Sequence, residues 1–143
     1  MLGHGRSTWG DPASWSFERA ADAVRDFCAT VGLAKPVVYG HSLGGMVAML
    51  YGARHPGHAR ALVLQSAMGR VDVLDQLGAI DAPTLVCVGA LDPVTPVAAH
   101  RELVAALPTG LARLEILEGA GHFAWKDVPE TYWPLLTEFV TTV

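Results

Sequence analysis

"VVYGHSLGGMVAMLYG", residues 37–52, sets a short apolar run against a serine fenced by glycines and then resumes a long apolar stretch. Gly40-His41-Ser42-Leu43-Gly44 fits G-x-S-x-G, with a strand expected before it and a helix after it. A serine on so sharp a turn has its Oγ lifted above the sheet edge. The residues two positions to either side must lack bulk if strand and helix are to approach closely, and Gly40 and Gly44 occupy those positions. The turn also aims the N–H groups of the new helix at any developing negative charge, where the helix dipole helps. Two plainer readings compete, an ordinary turn and a phosphate-binding loop. A P-loop needs a Lys followed by Ser or Thr, which "GHSLGGMV" lacks.

Outward from this stretch, apolar runs alternate with helical patterns. Phe17, Ala20, Ala21, Val24, Phe27, Cys28 and Val31 recur at helical spacing over 16–31, with Ser16 as N-cap and Gly32 as the stop. "PVVYG" (36–40), "ALVLQS" (61–66), "PTLVCVG" (83–89) and "ARLEILEG" (112–119) read as strands, the first as one buried on both faces. A helix is expected from Leu43 to about His55. Thr95 and Pro96 form an N-cap and N1 pair for a helix to about Leu107, and Asp127 with Glu130 makes a capping-box-like start for a last helix to about Val140. Strands separated by helices require crossovers, so the expectation is an α/β domain of three layers. It has a mostly parallel sheet of about four strands with helices on both faces, and one domain over 1–143. The segment 67–82 is too short and mixed for a full crossover helix with its loops.

Composition excludes several function classes. At 143 residues, 51% hydrophobic and 17% charged, the chain can bury roughly 70% of its unfolded surface in one core. The net charge of −4, with Lys and Arg scattered, leaves no electrostatic footprint for nucleic acid or an anionic membrane. Cys28 and Cys87 sit within a helix and a strand and read as buried hydrophobes. No CxxC or HExxH spacing occurs, so no metal is expected. Nothing near Met1 resembles a signal peptide and no apolar run approaches the ~18 residues of a membrane span, which makes the cytoplasm the default location.

A serine needs a base, and the base an orienting partner. Candidates stand just past the carboxyl ends of later strands, Asp92 in "GALDPVTP" and His122 in "EGAGHFAW". Asp92 before Pro93 could merely initiate a turn, and His122 could be a plain loop histidine. Gly119, Gly121 and Ala124 also satisfy G-x-G-x-x-A, but that fingerprint opens a unit with a further strand, and only a helix follows here. The chain order Ser42, Asp92, His122 is that of an α/β-hydrolase triad.

"GHSLGGMVAMLYGARHPGHARALVLQS", "APTLVCVGALDPVTP" and "GAGHFAWKDVPETYW" together resemble the α/β-hydrolase superfamily, nearest its esterase, lactonase and proline-iminopeptidase-like branch, from Leu2 to the C-terminus. The resemblance implies Ser42 as nucleophile, His122 as general acid and base, Asp92 as orienting acid and the Leu43 N–H as one oxyanion donor, with no cofactor. Small carboxylic esters are the implied substrates. "LGHGRST" resembles the segment just after the family's fourth strand, so the loop that supplies the second oxyanion N–H is not in this sequence, and Gly3 or Gly5 is the candidate substitute. Segment 67–82 stands where relatives insert a cap, so an uncapped, shallow pocket is expected, lined by Trp125, Phe123, Met68 and Trp9. For Phe123 and Trp125, simple packing of the last loop is the competing reading.

Without its usual neighbours, strand 36–40 would be an apolar sheet edge, and edges pair. A homodimer or higher homo-oligomer is therefore expected. His41 is expected to pack under the turn, Tyr132 and Trp133 to form the contact face of the last helix, and His4 has no assigned role. A second reading of function stands beside the esterase: a catalytically impaired hydrolase core serving as scaffold or interaction module.

Overall fold

β2 (Ala61–Gln65) and β3 (Thr84–Gly89) are buried at every position, so both of their faces must be covered. In the computed structural model, which describes residues 5–8, 10–67 and 71–143, alternate residues sort into two cores. Leu62, Leu64 and Val86 pack on one side, and Ala61, Val63, Leu85 and Cys87 on the other. Each buried leucine there is worth roughly 1.5–3 kcal/mol of transfer free energy. The first core is completed by α1 (Phe17–Thr30), α2 (Leu43–Arg54) and α4 (Val97–Ala106). The second is closed by α5 (Ala124–Asp127) and α6 (Pro129–Thr142), with Tyr132 and Phe139 pointing in.

The sheet order is β1-β2-β3-β4, with β1 (Val37–His41) and β4 (Ala112–Leu117) at its edges and every pair parallel. Parallel pairing returns each strand to the same end, so all four carboxyl ends, and the loops that follow them, share one rim. The expected three-layer α/β architecture is the observed one. Between β2 and β3 the short segment makes one turn of helix, α3 (Val71–Leu74), and a 3-10 turn over Leu77–Ala79, with Leu77 and Ile80 buried in the first core. Ser16 caps α1 as expected, its Oγ accepting the Arg19 N–H at 3.2 Å. Asp22 ties α1 to α2 through Arg54 at 3.2 and 3.0 Å and through His55 at 2.9 Å.

Two expected caps are spent elsewhere. α4 starts at Val97 with Pro96 in the cap position, while the Thr95 hydroxyl donates to Asp92 Oδ2 at 2.6 Å. Asp127 ends α5, Val128 caps α6, and Asp127 Oδ2 accepts the Gly121 N–H at 2.8 Å. Short polar side chains beside a loop bond to whichever backbone or side-chain group the loop presents, and here that is not the helix end. On α6, Tyr132 is buried but Trp133 is half exposed, because adjacent helical residues point about 100° apart. Cys28 and Cys87 are both buried free thiols, and burial pushes the Cys87 thiol up to about 12. Among the described residues no helix is long and apolar enough to cross a membrane.

The β1-to-α2 turn is as tight as G-x-S-x-G requires, but not for the reason expected at its second glycine. A Cβ on Gly40 would run into the Gly44 carbonyl group. Gly44 itself has nothing within 4 Å of where its Cβ would lie, whereas Gly45 sits against the Ala67 methyl. Gly40 and Gly45 thus hold strand and helix together. In denaturant melts, Gly40→Ala and Gly45→Ala should each lose roughly 1–3 kcal/mol or more through overpacking. Gly44→Ala should be neutral or gain up to ~1 kcal/mol of helix propensity; equal losses at Gly40 and Gly44 would refute the assignment.

Candidate active site

The three residues singled out by the sequence all lie on the rim past the strand ends: Ser42 after β1, Asp92 after β3 and His122 after β4. Ser42 has φ +53° and ψ −118°, a left-handed backbone that costs a non-glycine residue about 1–3 kcal/mol. Its N–H donates to the Gln65 carbonyl at 2.9 Å, which fastens the turn to the end of β2. The Leu43 N–H lies in the first turn of α2, where no residue four positions back can accept it.

Asp92 is organised as an acceptor. Its Oδ1 accepts the Val94 N–H at 2.8 Å and the Thr95 N–H at 2.9 Å. Its Oδ2 accepts the Thr95 hydroxyl at 2.6 Å and His122 Nδ1 at 2.8 Å. Burial alone would push this carboxyl up. The hydrogen bonds from Thr95, His122 and Val94 outweigh burial and hold it well below the usual carboxylate range. An ionised carboxylate only accepts, so Nδ1 of His122 carries a proton, and in the neutral ring that leaves the lone pair on Nε2. A ring in that tautomer can take a proton from a hydroxyl.

The His122 loop is held from several sides. The Leu91 N–H donates to the Ala120 carbonyl at 2.8 Å, and the Gly121 N–H to Asp127 Oδ2 at 2.8 Å. Gly89, at the end of β3, allows this approach, since a Cβ there would strike the Ala120 and Gly121 carbonyl oxygens. His41 Nε2 donates to the His122 carbonyl at 2.9 Å, and its ring centroid lies 4.7 Å from that of His122, 5.3 Å from Phe123 and 4.5 Å from Trp125.

Of the expected pocket residues, Phe123 is half exposed beside His122, with ring centroids 5.3 Å apart. Trp125 is partly buried and lines an open groove of about 430 Å³ with Tyr39, His41, Trp133 and Leu136. Gly5 lies exposed in a turn at φ +58° with open surroundings, while Gly3, Trp9 and Met68 fall outside the described residues. Sequence reading missed Thr95, Asp127, Gly89 and His41 as residues that build the site. Thr95 carried a usable signal, a hydroxyl three residues after an Asp in a loop. Asp127 meets the Gly121 N–H only six residues back, at a spacing that no turn or cap pattern marks, and the His41 partner lies 81 residues away across the fold.

The family described as alpha/beta hydrolase fold matches residues 1–76, more than half of the chain. The chain belongs to the alpha/beta hydrolase family. Lipase LipV of Mycobacterium tuberculosis is 42% identical over 64 residues, 45% of this chain and 24% of that protein. The monoacylglycerol lipase of Mycolicibacterium smegmatis is 32% identical over 102 residues, 66% of this chain and 35% of that protein. The chain thus spans about a quarter to a third of these curated relatives. Among solved structures, a CIB-like hydrolase from Thermoplasma acidophilum superimposes with a TM-score of 0.88 at 25% identity, over 99% of this chain and 69% of that one.

The lowered pKa of Asp92 makes a stability prediction for this alpha/beta hydrolase. Its contribution is complete above the unfolded-state value of ~3.9 and is lost as pH falls from there toward the lower folded-state value. Urea melts should show Asp92→Asn less stable than the parent at pH 7, with the gap closing as pH falls below about 4. A gap independent of pH would refute the assignment.

Proposed function

We propose that this alpha/beta hydrolase cleaves small or loosely held carboxylic esters through an acyl-serine intermediate on Ser42. The observation that carries the reading is the His122–Asp92 hydrogen bond at 2.8 Å, whose chain-distant partners meet on the rim that holds the strained Ser42 turn. The lipase names of LipV and the Mycolicibacterium smegmatis relative support an acyl ester as substrate class.

In this mechanism His122 Nε2 takes the Ser42 hydroxyl proton as Oγ bonds to the ester carbonyl carbon. The resulting oxyanion accepts the Leu43 N–H, and Asp92 stabilises the imidazolium without taking its proton. Collapse breaks the bond to the alcohol oxygen, which leaves with the proton from His122. Water then attacks the acyl-Ser42, giving its proton to His122, and release of the acid returns that proton to Ser42. Phe123 and Trp125 offer apolar surface to the acyl or alcohol part. No cofactor enters, and the chemistry runs without a metal.

Labelling with a fluorophosphonate, which requires an activated serine but little substrate specificity, tests this reading. The parent should label rapidly; Ser42→Ala and His122→Ala should not label, and Asp92→Asn should slow on the order of 10⁴-fold. A folded parent that does not label would instead favour the scaffold reading. The same proposal assigns a second copy of the chain to the open edge of β1, where Tyr39 is 45% exposed. Sedimentation at micromolar concentration should show a dimer or higher oligomer that Tyr39→Lys dissociates, and a clean monomer would overturn that part.

A further inference from the structure

His41 is the residue between Gly40 and Ser42, so whatever its side chain grips is held at a fixed distance from the serine turn. Its Nε2 grips the carbonyl oxygen of His122 at 2.9 Å. A carbonyl oxygen only accepts, so Nε2 carries a proton and is the donor. The other holds on the 120–123 loop run elsewhere: Ala120 to Leu91, Gly121 to Asp127, and the His122 ring to Asp92. Those fix the loop against the end of β3 and the start of the last helical layer. The His41 bond fixes it against the turn that carries Ser42.

We propose that His41 is a positioning residue, setting the separation between the Ser42 hydroxyl and the His122 ring by donating from Nε2 to the His122 carbonyl. The inference rests on the ester-hydrolase reading of the site for its kinetic consequence, but not for the hold itself. Ring packing completes the device. Phe123 and Trp125 close on His41 with centroids 5.3 and 4.5 Å away, so the imidazole has little room to rotate off the carbonyl. The charge state also suits the role. Burial lowers the His41 pKa despite its bond to the carbonyl, so the ring stays neutral, and a neutral ring 4.7 Å from His122 does not oppose the imidazolium formed in the transition state. A lysine or arginine in that place would.

Two variants separate the hydrogen bond from the packing. His41→Phe keeps an aromatic ring between Phe123 and Trp125 but has no donor, while His41→Gln places an amide N–H near the Nε2 position without a ring. Amide hydrogen exchange over 119–125, read by mass spectrometry on the full chain, should accelerate about fivefold to tenfold in His41→Phe and stay within about threefold of the parent in His41→Gln, the effect of one neutral hydrogen bond. Fluorophosphonate labelling should slow by about tenfold in His41→Phe and recover in His41→Gln. On a short-chain ester the loss should fall on kcat with KM nearly unchanged.

Unchanged exchange in His41→Phe overturns the proposal, as do equal losses in both variants, which would make the contact one of packing. Faster exchange with unaltered labelling overturns it too. Should the parent itself fail to label, the ester-hydrolase reading fails while the exchange comparison still decides whether His41 holds the loop.

Discussion

Everything else in this molecule depends on the two-sided burial of β2 and β3. A strand with apolar side chains on both faces must be covered from above and below, and consecutive parallel strands can be joined only by crossings that lie on those faces. That constraint places α1, α2 and α4 on one side and α6 on the other. It also brings the carboxyl ends of all four strands to a single rim. Loops on that rim are freed from covering the core, and they carry Ser42, Asp92 and His122.

The rim is organised around an acceptor. Asp92 holds four hydrogen bonds, and three of them come from Thr95 and Val94 in its own loop. Those local donors offset the cost of burying a carboxylate, leaving the fourth bond to select the His122 tautomer. The loop that carries His122 is handled differently, because glycines and a histidine offer few side chains to hold it. Its backbone is gripped by Leu91, Asp127 and His41, each from a different element. Positioning a loop by several distant contacts makes it precise only when the whole domain is folded, which couples the proposed chemistry to global packing.

Strain sits where the chemistry is proposed. Ser42 adopts a left-handed backbone that glycine would adopt freely, and the surrounding contacts hold it there: the Gly40 approach, the Gln65 carbonyl and the first turn of α2. Membership of the alpha/beta hydrolase family agrees with this turn, and lipase-named relatives with the acyl chemistry proposed for it. The apolar groove beside Trp125 and the open edge of β1 meet at Tyr39, so the same side chain borders a surface near the site and the sheet edge.

The sequence by itself determined where the strands lie, the alternation with helices, the G-x-S-x-G turn and the order Ser42, Asp92, His122, because each is written in local periodicity or in residues adjacent along the chain; it misread β1 as buried on both faces, whereas this edge strand buries only Gly40 and exposes Tyr39. It also read Ser16 correctly as a cap, a bond that spans three residues. It misread Thr95 and Asp127 as caps, and it credited Gly44 with a steric role that belongs to Gly45. Those assignments turn on which competing group each residue meets once the chain is folded: the Asp92 carboxylate rather than a helix N–H, the Gly121 N–H, and the Ala67 methyl beyond β2. Only the tertiary structure decided them, as it decided the grip of His41 on His122, since a polar group chooses among partners by distance in space and the sequence specifies only distance along the chain.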